Sequence, residues 1–155
     1  MPTPRLRFQL NTIKDGDTLI ASPIGPSKDQ SSGQIEAIRL YGIDCPELAQ
    51  HPYGKLARQR IQALLAPYRS FEVVSVDRDT HDRLVAELWV ADGCINTQLL
   101  AEGYAVAYVR HLKEPYRQRY LAAEAVARKA RLNFWSQTEL EPPWEYRRRN
   151  PRRVG

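Results

Sequence analysis

The strongest constraint on this chain is a change of period along its length. Up to Ala91 the regular segments mostly repeat every two residues, with one helical interruption; beyond it the repeats are helical. Arg5-Leu6-Arg7-Phe8-Gln9-Leu10 alternates polar and apolar residues, the pattern of a half-buried strand. Lys14-Asp15-Gly16-Asp17 predicts a tight hairpin turn with Asp-Gly at its centre, and Thr18-Leu19-Ile20 returns as a second strand. Further strands are expected over Ile35 to Ile43, Phe71 to Asp77 and Leu84 to Ala91; in the last, Leu84, Ala86, Leu88 and Val90 share one face. Ser22 to Gln34 is rich in Ser, Pro, Gly and Lys and predicts a loop.

The helical repeats are as regular. Ala57, Ile61, Leu64, Leu65 and Tyr68 define an amphipathic helix with Pro52 near its start. A short helix is expected over Ile95 to Glu102, stopped by Gly103, and a third over Pro115 to Arg131, with Tyr120, Ala123, Ala127 and Ala130 on one stripe. Pro142-Pro143 is expected to end regular structure. Short strands with segregated helices indicate an α+β domain, and a five-stranded OB-type β-barrel with three α-helices is its natural closure.

A length of 155 residues leaves room for one domain, assigned to 1–143, with 144–155 expected as a basic, flexible tail. The chain is 43% hydrophobic and 26% charged, which supports a buried core and excludes collagen-like, low-complexity and disulfide-scaffold classes. No apolar run approaches a bilayer span, so no membrane partner is expected, and the chain is expected to act as a monomer. Met1 to Leu10 has no apolar signal region, which fits a cytosolic protein and a chain trimmed of its signal equally well. Cys45 and Cys94 are expected as buried free thiols, with a disulfide as the alternative. The net charge of +5 hints at an anionic partner. Arg147, Arg148, Arg149, Arg152 and Arg153 account for the whole excess, so it belongs to the tail, which either holds phosphates or only solubilises.

Two segments concentrate carboxylates. One is Asp15-Gly16-Asp17-Thr18 at the hairpin; the other is Arg39-Leu40-Tyr41-Gly42-Ile43-Asp44-Cys45-Pro46-Glu47, which carries a strand into a Pro-broken loop. If Ile38 and Leu40 face the core, Arg39 and Tyr41 face away from it. Asp17 and Asp44 are hard oxygen donors suited to Ca²⁺ or Mg²⁺ rather than zinc or copper. Glu47 is positioned to support a metal ligand or to act as a general base, and Arg39 and Arg83 offer planar forks for phosphate oxygens. A divalent cation, a carboxylate and two arginines are the parts of a phosphodiester hydrolase. The plainer alternatives are Asp15 and Asp17 as turn residues, Glu47 as a helix cap, Arg39 in a surface ion pair and Arg83 in solvent.

Asp15-Gly16-Asp17-Thr18, Arg39, Asp44, Pro46-Glu47, Tyr53-Gly54, Asp82-Arg83-Leu84 and Gly103-Tyr104-Ala105 occur in the order found in the staphylococcal nuclease family, which the chain resembles from about Phe8 to Trp135. The resemblance implies an OB-type barrel and a Ca²⁺-dependent hydrolase of DNA and RNA, with the 5′ oxygen leaving and 3′-phosphate ends remaining. It implies that Asp17, Asp44 and the main-chain carbonyl of Cys45 hold Ca²⁺, that Glu47 is the general base, and that Arg39 and Arg83 bind phosphate. Tyr108 then matches an aromatic of the nucleotide pocket. His81 and Arg110 stand where other family members contact the nucleotide, His81 as a base-stacking ring or a solvated turn residue. Low sequence specificity and a preference for single-stranded or unwound substrate are expected. The alternative is a non-catalytic module that binds nucleic acid or protein; the retained Asp17, Arg39, Asp44, Glu47 and Arg83 argue for catalysis.

Overall fold

Closure of the sheet turns these strands into a scaffold. The computed structural model describes residues 5–25 and 34–151. Strand β1 (Arg5–Asp15) pairs antiparallel with β2 (Thr18–Pro23) on one side and β5 (Phe71–Arg78) on the other. Strand β2 pairs with β3 (Glu36–Leu40), and β5 with β6 (Leu84–Val90). Strand β6 then returns to β3 in parallel, Ile38 opposite Leu84 and Leu40 opposite Ala86, so five strands form a closed barrel. Register shifts at Leu10/Thr12, Ile13/Asp15 and Ser75/Asp77 supply the bends that closure needs. Two short pairings complete the strands: β4 (Ile43–Asp44) with β8 (Val106–Ala107), and β7 (Gly93–Cys94) on the edge of β6.

Helices α1 (Tyr53–Leu65), α2 (Ile95–Ala101) and α3 (Tyr116–Ala130) form where the helical spacing predicts them. Helix α1 packs on β1 and α2, and α2 packs on α3. A fourth helix, α4 (Pro143–Arg149), corrects the expectation of three and takes up the first part of the segment expected as a tail. Pro142-Pro143 starts a helix rather than ending structure, because proline's fixed φ and missing N–H suit the first helical position. Glu145 in the first turn and Arg147, Arg148 and Arg149 in the last complement the helix dipole. Arg152 and Arg153 lie outside the described residues.

Other differences have local causes. The strand expected over Ile35 to Ile43 breaks after Leu40, because Gly42 takes φ +75° and a side chain there would strike the Tyr120 ring. Parity therefore fails beyond the break. Arg39 is on the opposite face from Ile38 and Leu40, as expected, but Tyr41 turns into the core, its hydroxyl accepting the N–H of Lys113 at 2.8 Å. Tyr68 lies past the end of α1 and is exposed. On α3 the buried stripe is Tyr120, Glu124 and Ala127, while Ala130 is exposed. Glu124 is buried because it accepts the Ala107 N–H at 2.5 Å and so ties β8 to the helix. Strands β1 and β2 extend to Asp15 and Pro23. Most of the loop expected over Ser22 to Gln34 lies outside the described residues. Cys45 and Cys94 are both buried and free. Among the described residues no helix is long and apolar enough to cross a membrane.

Candidate active site

The hairpin between β1 and β2 and the break after β3 meet at one end of the barrel. The N–H of Leu40 donates to the Asp17 carbonyl at 2.8 Å, and Thr18 pairs with Arg39 across the strands. Asp17 then accepts the Cys45 N–H on Oδ2 at 2.7 Å, which fixes its carboxylate beside the segment carrying Asp44. Asp17 is 6% exposed and Asp44 is fully buried. Arg39 bridges them, 3.3 Å from Asp17 Oδ2 and 3.5 Å from Asp44 Oδ1, and donates to the Leu40 carbonyl at 3.2 Å. The surface-pair alternative for Arg39 is thus replaced by a half-buried bridge between site carboxylates.

This concentration of negative charge is under electrostatic load. Burial, then the neighbouring charge of Asp17, pushes Asp15 up to about 7. Burial raises Asp44 as well, with Asp17 adding to the rise and Arg147 and Arg39 opposing it. Burial pushes the Cys45 thiol well up, and Asp17 and Asp15 push it further, so it stays protonated and is no soft metal ligand. The donors here are hard oxygens, which fit Ca²⁺ or Mg²⁺. Among the described residues no three Asp, Glu, His or Cys side chains converge in ligating geometry, so carbonyl oxygens or water would have to complete a shell.

Glu47 is held by a tight loop. Its N–H donates to Gln50 Oε1 at 2.9 Å, its carbonyl accepts the Gln50 N–H at 2.8 Å, and Gly54 N–H reaches the Gln50 carbonyl at 3.1 Å. Gly54 presses against this loop: a Cβ there would sit 2.0 Å from the Glu47 carbonyl oxygen. That close approach is the physical meaning of the Tyr53-Gly54 pair. Gly54→Ala should therefore displace Glu47. Because a misplacement near 1 Å can cost about a hundredfold in rate, turnover should fall roughly ten- to a hundredfold, with about 1–3 kcal/mol of stability lost to overpacking. Steady-state kinetics beside thermal unfolding of the same variant check both.

Arg83 lies just before β6. Arg39 pairs with Val85, so strand parity puts Arg83 on the Arg39 side of the barrel. Asp79 orients it, accepting from Arg83 Nε at 2.7 Å and from the Arg83 and His81 N–H groups at 2.9 Å. Desolvation raises Asp79, but these bonds from Arg83 outweigh it and hold the carboxyl below its usual range. Arg83 is thus paired, not merely solvated. Tyr108 is half-buried, its N–H donating to the Gly42 carbonyl at 2.9 Å. His81 and Arg110 are exposed, and among the described residues no hydrogen bond or ion pair joins His81, Arg110 or Arg83 to Asp17, Asp44 or Glu47.

Sequence reasoning missed the part played by α4. Arg147 ion-pairs with both Asp44 oxygens, at 2.9 and 2.7 Å, and with Glu47 at 3.1 Å. One turn earlier, Trp144 stacks on Tyr108 with centroids 5.5 Å apart and planes at 14°. Gln50 Nε2 donates to the Glu141 carbonyl at 3.0 Å and ties the start of this segment to the Glu47 loop. The readable signal was the Pro143 start with Glu145 and the arginines behind it.

The family model described as staphylococcal nuclease homologue matches residues 37–137, a span that ends before α4. A thermonuclease of Staphylococcus intermedius is 32% identical over 134 residues, covering 83% of this chain and 75% of that protein. A protein of Oryza sativa subsp. japonica named probable staphylococcal-like nuclease CAN2 is 33% identical over 125 residues, covering 81% of this chain and 33% of that protein. An uncharacterized 38.1 kDa protein of Capnoides sempervirens is 30% identical over 141 residues, and this chain spans only 39% of its length. On the family match and the extent of these identities, the chain belongs to the staphylococcal nuclease family.

Proposed function

We propose that the chain is a Ca²⁺-dependent nuclease that hydrolyses phosphodiester bonds of DNA and RNA. The observation that carries this reading is the Arg39 bridge between the buried carboxylates of Asp17 and Asp44, with Glu47 on the adjoining loop. The family's nuclease-named relatives support it. Asp17, Asp44 and the Cys45 carbonyl would hold the cation, which when bound supplies positive charge against the phosphate. Glu47 accepts the proton of the attacking water as the new oxygen–phosphorus bond forms. The bond from phosphorus to the 5′ oxygen breaks, that oxygen takes a proton from solvent and leaves as a 5′-hydroxyl, and a 3′-phosphate end remains. Arg39 and Arg83 take up the negative charge that grows on the phosphate oxygens. Tyr108 offers a face for a base, with Arg110 and His81 along the same strand of substrate, which favours single-stranded or unwound nucleic acid. These groups address phosphate and base faces rather than base edges, so sequence specificity is low. The active species is proposed to be a monomer.

A non-catalytic binding module is the second reading, and one observation favours it: Arg147 already covers Asp44 and Glu47. Plasmid and single-stranded RNA digestion separate the two. Cleavage is expected with Ca²⁺ and should stop when EGTA removes it; no cleavage at any Ca²⁺ concentration would leave the binding module as the reading.

A further inference from the structure

We propose that α4 is a built-in occupant of this site, which cation and nucleotide enter by displacing it. The proposal rests on the reading of Asp44 and Glu47 as the reactive carboxylates. Three observations carry it. First, the Arg147 guanidinium places a positive charge on Asp44 and Glu47 together, and its two forked contacts to Asp44 use both oxygens of that carboxylate. A cation on Asp44 and this guanidinium compete for the same lone pairs. Second, Trp144 covers the face of Tyr108 in near-parallel stacking, where a base would lie. Cation position and base position are thus filled from one face of one helix, by residues one turn apart.

Third, α4 is built to leave. It spans seven residues, too few to persist alone in water. Pro143 is its buried residue; Arg148 and Arg149 are exposed and pair locally with Glu145 and Glu141. Much of what holds the helix is therefore the site itself. A ligand that takes Asp44 and Tyr108 removes those contacts, and the affinity it shows is reduced by the fraction of molecules in which α4 is docked.

The test uses the full chain. Isothermal titration with Ca²⁺ alone should show binding about tenfold tighter for Arg147→Met than for the parent, within the usual range of coupling between competing ligands. Arg148→Met makes the same change of charge on the exposed face and should leave the affinity at the parental value. Trp144→Ala, which changes no charge, should tighten binding of a nucleoside 5′-monophosphate in the presence of Ca²⁺. In the parent, Ca²⁺ with the monophosphate should expose the bonds after Arg147, Arg148 and Arg149 to trypsin, mapped by mass spectrometry. If the parent binds Ca²⁺ and Arg147→Met binds it equally or more weakly, or if the tryptic sites stay protected at saturation, the proposal is overturned while the nuclease reading stands. If parent and variants neither bind Ca²⁺ nor cleave DNA, the nuclease reading fails and the proposal falls with it.

Discussion

Glu47→Gln is expected to lower turnover by about 10²–10⁴, the contribution of a positioned general base, with little change in KM. The amide keeps the size of the side chain and an oxygen that can accept from Arg147, so the loop from Glu47 to Gly54 should survive the change. What it loses is the capacity to take a proton from water. Arg83→Ala should cost a similar amount, roughly 3–4 kcal/mol of transition-state stabilisation, by analogy with the loss of a single oxyanion donor. Lysine should rescue Arg83 only in part, since a point charge cannot reproduce the fork that Asp79 orients through Nε. Single-turnover rates on a labelled oligonucleotide measure both. Near-parental rates in Glu47→Gln would remove the base assignment, and near-parental rates in Arg83→Ala would remove the phosphate clamp.

How much of this was legible depends on which physical signal each residue leaves. The barrel strands announce themselves because period-two alternation is written locally: Ile38 and Leu40 are buried in the core and Arg39 projects to the opposite face, as alternation demands. The carboxylates of the two loop segments stood out because residues at a turn and past a strand end answer to function more than to packing. Their partners were harder. That Arg39 sits between Asp17 and Asp44 follows from the β2–β3 register, which no local pattern states. Arg147 lies more than a hundred positions from Asp44 in sequence, and its role depends on where α4 docks. There a proline pair reads locally as a stop, although the acidic residue and arginines after it are the charge pattern of a helix. The buried polar residues Glu87, Asn96 and Glu124 left no trace in hydropathy either, because each is buried only by virtue of distant partners.

Asn96 is the sharpest case of that kind, and Asn96→Ala should be among the most destabilising single changes in the domain. It is fully buried at the start of α2, and its side chain meets only backbone. Its oxygen accepts the Leu88 N–H at 3.0 Å, and its nitrogen donates to the Tyr41 carbonyl at 3.0 Å and the Ala86 carbonyl at 3.1 Å. These bonds fasten α2 to β6 and to the chain break after β3. Alanine strands the buried Leu88 N–H and the Tyr41 carbonyl; Ala86 keeps one partner, because its carbonyl also accepts the Tyr41 N–H at 2.8 Å. Two orphaned backbone groups at about 1–3 kcal/mol each give a loss near 3–4 kcal/mol. For a chain of this size that lowers the melting temperature by roughly 10 °C. Asp is not a repair, since a carboxylate cannot donate to either carbonyl and would bury a charge. The Tyr41 carbonyl also sits at the turn that delivers Asp44, so the loosened variant should lose activity at temperatures well below its own midpoint. Calorimetry beside a temperature series of cleavage rates reads both effects. A melting temperature within about 2 °C of the parent would mean that water replaces the amide, and that the Asn96 link is not what holds the break in place.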